Sequence, residues 1–192
     1  MAQTALVTGS QARAEEVAAS LERAGFTVTT VTDPDGVAGA CAPIEPGTLD
    51  CYVQLPKETK VEGPSLIGRV RQFLAEGLLA RFEAASTVLP ALAREACVVL
   101  VAGNLPGSST PDDRHARIDL LRVLARAILA ECSGADVRAV VVGNERSAAE
   151  IADIVVRRGD ESGRKTAEVA ALPSDLNYAD WQREFLSLTT EE

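Results

Sequence analysis

Residues 4–33 read TALVTGSQARAEEVAASLERAGFTVTTVTD, from Thr4 to Asp33, and the reading of this stretch decides the fold. Thr4–Thr8 is a short apolar strand that stops at Gly9. Ser10 offers an N-cap for the helix that follows, and Glu15 and Glu16 stand in its early turns, where the helix dipole favours acids. Ala14, Val17, Ala18 and Leu21 line one face, and Gly25 marks the end. Phe26–Thr32 alternates and is rich in Val and Thr, which predicts a second strand. Asp33-Pro34-Asp35-Gly36 is turn chemistry, because Pro fixes φ and Gly supplies the left-handed position. Strand, glycine turn, helix and strand make a βαβ unit, the usual opening of a dinucleotide-binding fold.

Outward from this unit the pattern continues. Val37–Gly47 is poorly patterned, and a short third strand is expected at Ala38–Ala42. Leu49–Leu55 (LDCYVQL) is a fuller strand closed by Pro56. Apolar residues then recur at helical spacing from Ser65 to Arg94, long enough for two helices or one kinked helix. Ala96–Ala102 (ACVVLVA) is a continuous apolar run, the mark of a strand covered on both faces. Thr110-Pro111-Asp112-Asp113 opens a helix that reaches about Glu131 and is apolar on more than one side. Arg138–Val142 predicts another buried strand, and Ser147 with Glu150 predicts a capping box for a helix through Val156. Tyr178, Trp181, Phe185 and Leu186 predict a last short helix around 175–188. Strands alternating with helices imply an α/β fold: a doubly wound, Rossmann-like parallel sheet in three α/β/α layers, with 1–192 as one domain.

Composition narrows the function. Nineteen basic residues against twenty-eight acidic ones give a net charge of −9, and no basic stripe is present to hold a polyanion, so no nucleic-acid partner is expected. Gly9, Ser10 and Gln11 interrupt the first apolar run, and no run is long enough for a membrane span, so the expected location is cytoplasmic. Cys41, Cys51, Cys97 and Cys132 lie far apart without a CxxC pair and read as inert buried thiols. One histidine and no clustered ligands argue against a metal site.

The order of strand, Thr-Gly turn, helix, strand and acid, then LDxxV, a helix ending LP, VVLVxG, and LARAILAE before VRAVVVG resembles the short-chain dehydrogenase/reductase family over roughly Thr4 to Val156. The resemblance implies NAD(P) bound on a TGxxxGxG turn and carbonyl or alcohol redox chemistry carried by Asn, Ser, Tyr and Lys. It assigns the cofactor contacts to Thr8, Gly9, Ser10, Arg13 and Asp33, the last also readable as the first residue of the DPDG turn. The chain departs from the family at each functional motif. Ala12 and Ala14 fall where the turn expects glycines, which the backbone needs to approach a pyrophosphate. Gln54-Leu55-Pro56-Lys57 replaces NNAG. Gly77, Gly103, Arg114 and Ile118 occupy the positions of the catalytic Asn, Ser, Tyr and Lys. A phenol with an ordinary pKa of about 10 needs a neighbouring Lys to transfer protons near neutrality, and no Tyr lies between Tyr52 and Tyr178.

No catalytic residue is therefore assigned. Ser108, Ser109, Asp112, Asp113 and His115 cluster after the fifth strand, but no GxSxG elbow presents a nucleophile, and a solvated helix start accounts for them. The expectation is a degenerate family member serving as a binding or oligomerisation partner. Following the resemblance, it would pair as a homodimer, or as a heterodimer with a related subunit, through helices around 66–94 and 111–131. The competing expectations are an NAD(P)-dependent oxidoreductase with a remodelled site, and a binder of nucleotides or acidic ligands at Arg13 and the first helix terminus.

Overall fold

The computed structural model describes residues 3–33, 35–57, 65, 67–68, 72, 77, 79–103, 111–157 and 167–168, with the backbone alone for 111–117 and 167–168. In chain order the elements are β1 (Gln3–Thr8), α1 (Gln11–Arg23), β2 (Phe26–Val31), α2 (Gly36–Cys41), β3 (Leu49–Gln54), α3 (Ala80–Val88), a 3₁₀ turn (Leu89–Ala91), β4 (Leu92–Val101), α4 (Pro111–Glu131), β5 (Arg138–Val142), α5 (Ala148–Val156) and β6 (Ala167–Glu168).

The strands form one sheet in the order β2-β1-β3-β4-β5-β6. The first five run parallel, and β6 closes one edge as a two-residue antiparallel strand. Side-chain alternation divides the core into two layers. Leu6, Tyr52, Val98, Leu100 and Val141 pack on the face covered by α2, α3 and α4. Val7, Cys51, Val53, Val99 and Val140 pack on the opposite face under α1 and α5. The doubly wound α/β arrangement expected from the βαβ opening is thus present. Because β2 and β3 lie on opposite sides of β1, strand order reverses between β1 and β3, and the carboxyl ends of these two strands are where open α/β sheets place ligands.

Three local expectations are corrected. Residues 36–41 form the helix α2 and not a third strand; Val37 is its buried anchor, and small residues around it supply no alternating face to pair with β2. The helical run does not extend to Arg94. It stops at the 3₁₀ turn containing Pro90, and Leu92 already pairs with Leu49 as the start of β4. The register then shifts: Cys51 pairs with Cys97, so two steps along β3 match five along β4. Cys51 and Cys97 are buried as expected, whereas Cys41 and Cys132 are half-buried; partial burial pushes both of those thiols up.

The expected capping box at the start of α5 is present. The Ser147 hydroxyl accepts the Glu150 backbone N–H at 3.2 Å, and a Glu150 carboxylate oxygen accepts the Ser147 N–H at 2.9 Å, completing the capping box. Arg138 at the start of β5 donates to the carbonyls of Ile154 and Arg157, closing the carboxyl end of α5. No helix of the described residues is long and apolar enough to cross a membrane. The tail helix expected around 175–188 lies outside the described residues.

Candidate functional site

Beyond the strand ends, β1 and β3 continue to bond. The Leu55 N–H donates to Thr8 O at 2.8 Å, and the Ser10 N–H donates to Pro56 O at 3.4 Å. This continuation draws Leu55 and Pro56 over the turns that follow β1 and β4. Gly9 sits at φ 139°, and a Cβ placed there would lie 2.6 Å from Leu55 Cβ and 2.9 Å from Leu55 O. A Cβ on Gly103 would lie 2.8 Å from Pro56 Cβ. Leu55, through its backbone and Cβ, thus sits against Gly9, and the Pro56 ring sits against Gly103. Gly9 remains glycine for a physical reason, but the group that approaches it is Leu55.

The rest of the cofactor turn is rebuilt as helix. α1 begins at Gln11, so Ala12 and Ala14 both have helical backbone, and no described non-glycine residue has positive φ. Ala14 is fully buried against the sheet. Ser10 occupies the N-cap position without a side-chain capping bond, and α1 carries no acid in its first turn, since Glu15 and Glu16 lie further along. Arg13 turns away to the β5–α5 connection: Nη1 donates to Asn144 Oδ1 at 2.6 Å and Nη2 to Arg146 O at 2.7 Å. Asp33 is exposed, and its Oδ1 accepts the Asp35 N–H at 3.4 Å, while its carbonyl accepts the Gly36 N–H at 3.0 Å. That is the turn role.

Thr8 belongs to a different construction. On the α3 side of the switch point its hydroxyl meets Tyr52 Oη at 3.2 Å, and Gln54 Nε2 donates to the same phenol oxygen at 3.0 Å. Gln54 also donates to Arg81 O at 2.9 Å. In return, Arg81 donates from Nε to Gln54 Oε1 at 2.9 Å and from Nη2 to Gln54 O at 3.1 Å. Thr8, Tyr52 and Gln54 are buried, and Arg81 is half-buried. Burial pushes the Tyr52 phenol up and draws the Arg81 guanidinium down to about 10. The guanidinium is still charged at neutral pH, and no carboxylate forms an ion pair with it among the described residues.

This network borders a partly open cavity of about 40 Å³, lined also by Gly9, Asp33, Lys57 and Gly77. Sequence reasoning missed Gln54 and Arg81 as a pair. The signal was present: a glutamine inside an apolar strand and an arginine in an apolar helical run each need a buried partner. The expected catalytic positions are not assembled into a site. Gly77 and Gly103 carry no side chain, and Ile118 packs against the core. The side chains of Arg114, Asp112, Asp113 and His115, and residues 108 and 109, lie outside the described residues. No cluster of metal-ligating side chains occurs among the described residues.

The sheet order, the switch point after Gly9 and the helical layers define a doubly wound, Rossmann-like α/β fold. No protein-family model matches the sequence, and no curated protein does. Solved structures do. A small-chain dehydrogenase aligns over 86% of this chain and 93% of its own, at 13% identity and a TM-score of 0.62. A short-chain dehydrogenase/reductase from Serratia marcescens aligns over 90% and 96%, at 14% identity and a TM-score of 0.59. A putative short-chain alcohol dehydrogenase from Burkholderia multivorans aligns over 82% and 92%, at 14% identity and a TM-score of 0.58. At such identities the likeness establishes the fold.

Proposed function

We propose that this chain is a short-chain dehydrogenase/reductase-like protein that has lost the hydride chemistry and works as a binding or oligomerisation partner. One observation carries the reading: Leu55 and Pro56 press against Gly9 and Gly103, held there by the backbone bonds from Leu55 to Thr8 and from Ser10 to Pro56, which supports a groove taken up by the chain itself. Arg13, the cation nearest the start of α1, is committed to Asn144 and Arg146. Gly77, Gly103 and Ile118 at three positions of the catalytic tetrad support the loss of the proton relay.

The partner role rests on α3 and α4, the helices through which the resembled family pairs. Val123 and Leu129 of α4, Phe82 of α3 and Leu89 just after it are only half-buried within one chain, and Leu79 is 56% exposed. Apolar surface left open along two neighbouring helices fits a symmetric four-helix contact. Light scattering at micromolar concentration tests this: a dimer mass is expected for the isolated chain or for its mixture with a related subunit, and a monodisperse monomer in both removes the partner role.

A further inference from the structure

We propose that the cavity at the carboxyl ends of β1 and β3 binds the carboxylate of a small organic acid, with Arg81 as its anchor. The guanidinium is fixed in place, since Nε, Nη2 and the residue's own carbonyl are all bonded to Gln54. Nη1 has no hydrogen-bond partner among the described residues, and the residue lines the cavity. A half-buried cation with no paired acid among the described residues is open to completion by an anion. Guanidinium geometry matches a planar carboxylate. Burial holds this group near 10, so the charge persists throughout the neutral range.

The enclosed part of the cavity, about 40 Å³, has room for a carboxylate group. The surrounding wall supplies the rest of the specificity. Val31, Val37, Ala80 and Ala84 are apolar, so a short hydrocarbon body suits the site. Lys57 adds a second cation, and exposed Asp33 is the sole acid lining the cavity among the described residues. The cavity is partly open, so the remainder of a longer acid can project outward. The inference holds whether or not the chain pairs with a partner, since it uses Arg81 and not the helix surfaces.

Isothermal titration of the full chain with sodium acetate and sodium butyrate tests it, with chloride and inorganic phosphate at matched ionic strength as controls. One saturable site for each carboxylate is expected, with butyrate the tighter. Arg81→Gln should weaken both by about ten- to a hundredfold, the loss of hydrogen bonds from a charged donor. Ala84→Leu, which keeps Arg81 and narrows the cavity, should weaken butyrate more than acetate, and it serves if Arg81→Gln does not fold. Absence of carboxylate binding by the natural chain, equal binding by Arg81→Gln, or preference for phosphate would each overturn the assignment.

Discussion

Replacing Gly9 by Ala probes the closed groove. Two costs combine at this position. The backbone at φ 139° is one that a residue with a Cβ rarely adopts, and holding it there costs about 1–3 kcal/mol. The new methyl would also stand 2.6 Å from Leu55 Cβ and 3.1 Å from Leu55 C. These are backbone-proximal atoms that cannot swing aside, so the end of β3 must shift, an overpacking cost of about 1–3 kcal/mol. Gly25→Ala supplies the control, because Gly25 has φ 95° and nothing within 4 Å of its Cβ position. It carries the dihedral cost alone. Urea unfolding should show Gly9→Ala destabilised by about 2–6 kcal/mol and Gly25→Ala by clearly less, at an unchanged denaturant slope. Equal losses for the two variants would mean that Leu55 does not press on Gly9, and the filled-groove reasoning would fail.

Arg13→Ala should cost about 1–3 kcal/mol, because it strips bonds from Asn144 and from the Arg146 carbonyl; a loss below about 0.5 kcal/mol would show that Arg13 does not tie α1 to the β5–α5 connection. Glu150 gives a pH signature. Hydrogen bonds from the Ser147 backbone, then Arg146 and the Ser147 hydroxyl, hold its carboxyl below the ordinary 4.5. A carboxylate with a lowered folded value stabilises fully above its unfolded value and loses that contribution as pH falls through the folded one. The difference in melting temperature between the natural chain and Glu150→Gln should therefore shrink below about pH 4.5, and a difference constant down to strongly acidic pH would contradict this assignment.

Elements whose local chemistry and tertiary environment agree were legible in the sequence. ACVVLVA and RAVVV have no other place than between two helical layers, and both form central strands. Ser147 and Glu150 satisfy each other within one turn, so their capping box needs nothing distant. Legibility failed where a distant partner decides. Leu92 falls in helical phase with Val88, but its pairing with Leu49 across the sheet converts it to strand. Small residues at 36–41 carry no strong preference, and the turn begun by Asp33 delivers them as helix.

The site divides in the same way. That Ala12 and Ala14 disrupt the glycine turn is visible in the letters, whereas their conversion into the first turn of α1 is a consequence of the whole fold. Leu55 and Pro56 were visible as a departure from NNAG, but their seat over Gly9 and Gly103 depends on two strands bonding past their ends. The Gln54–Arg81 pair spans 27 residues of sequence, and only the packing of α3 on β3 brings it together.

The central claim is that the nucleotide groove is closed by the chain's own residues, and thermal unfolding with NADH and NADPH tests it most directly. A ligand at a hundredfold excess over its dissociation constant stabilises by about 2.7 kcal/mol, which for a chain of this size raises the melting temperature by roughly 5–10 °C. The closed groove predicts no shift with either dinucleotide at millimolar concentration. A saturable upward shift with one of them would show that Leu55 and Pro56 yield to the cofactor, and it would restore the remodelled oxidoreductase in place of the partner role.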